Sequence, residues 1–403
     1  MTKAHSKLNS NMKKTYLIIG GVSTVLILLA IWVYLLIYGT PKPVESFFTD
    51  FSFSGRSEVS AELPFVPEPE NQTVDVLDDV PLRQLTTRAV IGFGEYKPKN
   101  GEKPSILYAE AGTGHVYTID LTSGVETRLS NITITNAQKA EFNFDGTKVA
   151  IRSGYGTQNT IELLTLNGEN SATKETLIPK MVDLTFSTDG NLLYSEYSST
   201  GLTAHLMDTQ TKTNSNLFIV PFQDATIIWN KDGKSEHYVY PKPSAKLTGF
   251  LYRISNGVLL REPTSGNGLG VLVNNDYSIH TITTDRGPLS FMTKKNGGNA
   301  QSLPIIMQSS KCVFSNINTN ILYCGHEDTP LTYEFPDNWY KGLITFSDKI
   351  WEINLDKGLA TQLINPQKET GREIDVIGMN MSRIDKVLYF INKNDNTLWM
   401  YEI

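Results

Sequence analysis

Three stretches of this chain, AEFNFDGTKVAI, LTFSTDGNLLYS and TIIWNKDGKSEHYV, share one plan: an apolar strand, an Asp-Gly turn and a second strand. Their turn aspartates, Asp145, Asp189 and Asp232, stand 44 and 43 residues apart. Glycine takes positive φ at no steric cost, so Asp-Gly between apolar runs reads as a β-hairpin, here a recurring one. Weaker copies extend the series. Asn100-Gly101 lies 45 residues before Asp145, Asp276 lies 44 after Asp232, and Asn318 lies 42 after that. Asp385 follows at 67, a gap lengthened by one insertion, and makes seven hairpins.

Each hairpin is followed by a third strand: VYTIDL, IELLTL, TAHLMD, FLYRIS, PLSFMT, KIWEIN and TLWMYEI. After the first six come a turn and a fourth strand, as in VETRLS and ATQLIN. Four antiparallel strands every forty-odd residues is the signature of a propeller blade. The fold class expected is therefore all-β, a seven-bladed β-propeller over residues 80–403. The seventh unit reaches Ile403 after its third strand, while VPLRQLT at 80–86 resembles a fourth strand. The expectation is that this N-terminal strand completes the last blade and leaves the ring no loose edge. A β-solenoid or a two-sheet sandwich does not predict that the missing strand returns at the other end.

The FxxDGxxL pattern of Phe142–Val149 and Phe186–Leu193 resembles the WD-like β-propeller repeats of the Tol-system periplasmic propeller and of dipeptidyl-peptidase IV type N-terminal domains. Blade 4 puts Trp229 where those units have Phe, and blades 5 to 7 lose the Asp-Gly pair or its flanks. The resemblance implies a fold and leaves function open. In the peptidase relatives catalysis belongs to an attached α/β-hydrolase domain, and no G-x-S-x-G nucleophile elbow occurs in this sequence, so that activity is not expected.

Ahead of the repeats, Tyr16 to Tyr38 holds 23 residues without a charge. At a 1.5 Å rise this is enough to cross a hydrocarbon core of about 30 Å. A cleaved signal peptide would have a shorter apolar region ending in small residues, whereas this one ends in LLIYGTPKP. Residues 16–38 are thus read as a single transmembrane α-helix, an uncleaved signal anchor with the lipid bilayer as its partner. Lys3, Lys7, Lys13 and Lys14 precede it with no acid among them. The positive-inside rule then makes residues 1–15 a cytoplasmic tail and exports everything after Tyr38, so the chain is a single-pass cell-membrane protein. Residues 39–79 read as an acidic, Pro-containing extracytoplasmic linker, extended by its own charge.

Cys312 and Cys324 flank an Asn-rich turn in KCVFSNINTNILYCG. With the turn centred on Asn318 they sit opposite each other, and a close, non-hydrogen-bonded pair can form a disulfide. Two separately buried thiols are the alternative.

Motifs for chemistry are absent. A net charge of -6 argues against nucleic acid, which needs a basic face. The six histidines show no metal-ligand spacing, so no metal or cofactor is expected, and no catalytic residue can be named. Ser187-Thr188-Asp189-Gly190 begins like an Asp-box and then departs from it. Asn71, Asn131 and Asn380 fit the glycosylation pattern, relevant only in a eukaryote.

What remains is surface. The loops that join second to third strands share one face of a propeller. In this chain they carry Tyr155, Tyr197, Tyr240 and Arg286, with Tyr333, Trp339 and Tyr340 on the long insertion 325–348. Tyr, Trp and Arg most often anchor interfaces, and long loops in a compact domain usually have a function. The expectation is a membrane-tethered scaffold that binds a protein or an envelope polymer through this face. The rival for the insertion is a plug that buries its own aromatics. Two rivals stand for function as a whole. One is a propeller enzyme, hydrolase or lyase, marked by clustered buried carboxylates or histidines at the channel mouth. The other is a structural subunit of a cell-envelope assembly, for which Gly20-Gly21 permits close helix packing.

Overall fold

The computed structural model describes residues 80–96, 105–154, 159–177, 181–232, 236–329, 331–332, 334–383 and 386–403, together with Leu29. The chain divides into two compact units, Met1–Glu68 and Pro69–Ile403. Leu29 apart, residues 16–38 and the linker 39–79 lie outside the described residues, among which no helix is long and apolar enough to cross a membrane.

Within the second unit the strands form seven four-stranded antiparallel sheets, a seven-bladed propeller. Each hairpin read from the sequence supplies the first two strands of a blade. In blade 2 these are Ala137–Phe142 and Lys148–Ser153, in blade 3 Met181–Phe186 and Leu192–Ser198, and in blade 4 Ala225–Ile228 and His237–Pro241. Gly146 and Gly190 take φ of 71° and 77°, the conformation for which the Asp-Gly turns select glycine. Asn100-Gly101 and Asp385 lie outside the described residues. The strands flanking them nevertheless pair, Val90–Tyr96 with Ser105–Glu110 in blade 1 and Val376–Met381 with Val387–Asn392 in blade 7.

Alternate side chains of a strand point to opposite faces of its sheet, and in a ring both faces meet a neighbour. Strands such as Val387–Asn392 are therefore buried at every position rather than at every second one. The apolar core follows the same geometry. Among the described residues it falls into seven clusters, each straddling two adjacent blades. One joins Leu388 and Trp399 of blade 7 to Ile350 of blade 6, and another joins Leu398 and Met400 of blade 7 to Ile106 and Ile119 of blade 1. At Gly92 an added Cβ would land on the Ala140 carbonyl, so glycine is what lets the first strands of blades 1 and 2 approach.

The ring closes as expected. Leu82–Gln84 is the fourth strand of blade 7, with Leu82 opposite Tyr401, Arg83 opposite Met400 and Gln84 opposite Trp399. Arg83 also pairs with Glu402.

Cys312 and Cys324 are register partners in the first hairpin of blade 6, with Cα atoms 4.1 Å apart, and a disulfide joins them. It closes a loop with a sequence separation of 12. A loop of this size restricts the unfolded chain by about 3 kcal/mol in the chain-entropy model. A Cys312→Ala, Cys324→Ala variant is expected to lose about that much stability in denaturant titrations under oxidising conditions. Equal midpoints for the two proteins would contradict this.

Candidate functional site

Second strands run into third strands, and blades into one another, on one side of the ring, the upper face. The hairpin turns mark the lower face.

On the upper face the insertion 325–348 of blade 6 lies as a strap across several blades. It begins where the second strand, Ile321–His326, ends, and it contains a one-turn helix, Asp337–Tyr340. The Asp337 carboxylate accepts hydrogen bonds from Ser244 Oγ (2.9 Å) and the Ala245 amide, both in blade 4. Thr283 Oγ1 of blade 5 donates to the Phe335 carbonyl (2.6 Å). Gln308 Nε2 donates to the Tyr340 hydroxyl (2.8 Å). From blade 7, Lys393 Nζ donates to the Trp339 carbonyl (3.1 Å), while Asp375 accepts from the Trp339 indole N–H (2.9 and 3.1 Å to its two oxygens). The strap fastens blades 4 to 7 together.

Beneath it lies a buried ionic cluster. Lys311 is 2% exposed, and its ammonium bonds to both Asp348 (1%) and Asp375 (0%). The rings of Trp339 and Phe346 cover that ammonium at 5.1 and 4.6 Å. The Val376 amide donates to Asp348 (2.8 Å). A buried charge stripped of its partner costs several kcal/mol, so the members depend on one another. Burial pushes the Asp348 carboxyl up to about 6, against the pull of the Lys311 ammonium. The strap seals these carboxylates off from solvent.

This geometry sorts the seven residues expected to form a binding face. Trp339 and Tyr240 are each 2% exposed, and Trp339 is held inward by Asp375. Tyr197 is half-buried against the core between blades 3 and 4. Arg286 is exposed and Tyr340 is 47% exposed. Tyr155 and Tyr333 lie outside the described residues. Among the described residues of the set, Arg286 and Tyr340 are the exposed ones and Tyr197 offers part of its surface.

The lower face is different. Between blades 4, 5 and 6 the ends of the first strands and their turns surround an open basin of about 720 Å³. Trp229 and Asn230 line it from blade 4, Asn274 and Asn275 from blade 5, and Phe314 and Asn316 from blade 6. Glu236, Tyr238, Lys295 and Asn296 form its outer wall. Much of this lining is braced from behind. The Trp229 indole N–H donates to Asp183 (3.0 Å), which also takes the Lys139 ammonium (3.0 Å). Burial works against the charge on Asp183, but Lys139 and the indole hold its carboxyl below the usual range. Asn316 Nδ2 donates to the Met381 and Ser382 carbonyls at 3.0 and 3.1 Å, and Asn274 Nδ2 to the Thr319 carbonyl at 2.8 Å. Lys295 lies 4.8 Å from the centre of the Tyr238 ring. The basin is open to solvent, with Trp229, Tyr238 and Phe314 as its aromatic lining and largely polar residues between them. Among the described residues no three His, Cys, Asp or Glu side chains converge as metal ligands.

The chain matches no protein-family model and no curated protein. Solved structures resemble it in shape. They include the β-propeller domain of the trilobed protease from Pyrococcus furiosus, 10% identical, with a TM-score of 0.49 over 78% of this chain and 93% of that one. Virginiamycin B lyase from Staphylococcus aureus is 13% identical, with a TM-score of 0.49 over 80% of this chain and 98% of that one. A putative 6-phosphogluconolactonase from Bacteroides fragilis is 11% identical, with a TM-score of 0.49 over 76% and 92%. The likeness is one of fold.

The raised Asp348 carboxyl gives the strap a pH signature. Folding lifts this acid from 3.8 to about 6, so between those values the folded protein holds the proton better than the unfolded chain does. Its contribution is present at low pH and is lost as pH rises through that window. Relative to an Asp348→Asn variant, the unmodified protein is expected to lose stability from about pH 4 to about pH 6 in denaturant titrations. A gain over the same window would contradict the assignment.

Proposed function

We propose that this chain is a membrane-tethered, extracytoplasmic recognition module that binds its partner through the lower mouth of the propeller. The charge-free segment 16–38 and the lysines before it support a single-pass anchor with the N-terminus in the cytoplasm. The observation that carries the binding reading is the contrast between the two faces. The upper mouth is crossed by a strap whose aromatic anchor is buried, whereas the lower mouth opens into a braced basin of about 720 Å³. Propellers commonly serve as rigid platforms, and this basin is built mainly on strand ends and hairpin turns, with the blade 5 connection 295–300 on its outer side.

A second reading, catalysis, is favoured by one observation: Asp348 and Asp375 meet in a buried cluster, the feature expected of a channel-mouth enzyme. It requires the strap to lift before a substrate can reach them.

The test is capture from native membranes after in-cell crosslinking, with three full-length proteins whose folding has been checked. Asn296→Trp fills the basin from an exposed position, and Tyr340→Ala alters the exposed part of the strap. Loss of the partner with Asn296→Trp and retention with Tyr340→Ala is the expected pattern. The reverse pattern would move the working surface to the upper face.

A further inference from the structure

We propose that the lower basin continues outward between blades 4 and 5 as one trough, and that the trough binds a neutral, polyhydroxylated chain, an oligosaccharide strand. This rests on the lower-mouth reading above and adds the class of ligand.

The two basins adjoin across one wall. A second basin of about 730 Å³ runs between blades 4 and 5, and it shares Glu236, Tyr238 and Lys295 with the first. Each basin is the size of a pocket for a drug-sized ligand, so the two together suit an oligomer.

The floor of the outer basin contains an unexplained polar pair. Ser278 and His280 stand two apart in the strand Tyr277–Thr284 of blade 5 and so share one face. His280 is 9% exposed and stacks on Phe291 with ring centres 5.4 Å apart. Its Nδ1 and the Ser278 hydroxyl are buried with no hydrogen-bond partner among the described residues. Buried polar groups are nearly always bonded, so the partner these two call for is a water or a ligand hydroxyl. Burial holds the imidazole below its usual pKa and hence neutral. A neutral imidazole and a hydroxyl each donate and accept, as sugar hydroxyls do.

Charge and backbone argue for a sugar over other polymers. The charges of the described wall nearly balance: Glu236 and Glu262 both pair with Arg253, Lys295 adds a second positive charge, and Lys294 is offset by Asp356 just outside the basin. A polyanion or polycation gains nothing from such a wall. Between the charges stand the hydroxyls of Thr264, Ser265 and Thr293 and the amide of Asn299, with the aromatic faces of Trp229 and Phe314 at the inner end. A peptide adding as a strand would need an unbroken edge. Blade 4's outer strand, Val258–Asn267, carries Pro263 in the trough wall and shifts register between Phe250 and Tyr252 of its partner. Proline removes a donor from that edge.

The test is calorimetric titration of the full chain in lipid nanodiscs. The probes are cellohexaose, maltohexaose and chitohexaose, with hexagalacturonate and an unstructured hexapeptide as comparators. At least one neutral hexasaccharide is expected to bind, with neither comparator matching it. Asn299→Trp, at an exposed position in the outer basin, is expected to weaken that binding by about tenfold or more while leaving the melting temperature unchanged. Unchanged affinity in that variant would overturn the continuous trough. Binding of hexagalacturonate or the peptide in preference, or of no neutral probe, would overturn the sugar class. In that case partner capture lost with Asn296→Trp would leave the lower-mouth reading standing.

Discussion

Everything in this propeller depends on three residues at one end of the domain pairing with the strand at the other. Leu82, Arg83 and Gln84 face Tyr401, Met400 and Trp399. The junction is reinforced on both sides: Leu85 and Thr86 amides donate to the Leu398 carbonyl, the Glu402 amide donates to the Pro81 carbonyl, and Leu82 enters the apolar cluster with Trp399 and Tyr401. A chain of stacked blades without this contact would leave the strand Leu398–Glu402 as an open edge. The closure is highly non-local, yet loop entropy grows only as the logarithm of length, so a few backbone bonds and one apolar cluster can hold it. Once the ring is closed, every blade has two neighbours, and inner strands such as Val387–Asn392 are buried on both faces while outer ones such as Ser171–Thr176 stay largely exposed.

That arrangement explains why the fold was legible in the sequence. Hairpins at a period near 44 need only local signals: Asp-Gly at Asp145 and Asp189, an apolar run before, another after. The closing strand was legible too, because a missing fourth strand and an extra one stood at opposite ends. The Cys312–Cys324 pairing followed from counting outward from Asn318.

The surfaces were much less legible, for a physical reason. Trp339 reads as an interface anchor in its loop, but its fate is decided by Asp375, 36 residues later in the next blade, and by Lys311 in the first strand region of its own. Neither is marked by spacing or motif. The strap's buried cluster forms only when blades 6 and 7 are already side by side. The lower trough has the same character. Glu236, Tyr238, Asn275, Lys295 and Asn316 come from separate turns and strands in three blades. One signal was present: the KKNGGNA stretch around Gly297-Gly298 gives blade 5 a long connection ahead of its two-residue fourth strand, Gln301–Ser302. That connection forms part of the trough's wall.

The working surface proposed for this propeller is the lower mouth between blades 4 and 6. Site-specific photocrosslinking in the native cell tests it most directly, with the photoreactive residue placed either at Asn296 on the lower mouth or at Tyr340 on the strap. A discrete adduct from position 296 and none from position 340 is expected. An adduct from position 340 alone would contradict it and return the binding surface to the upper face.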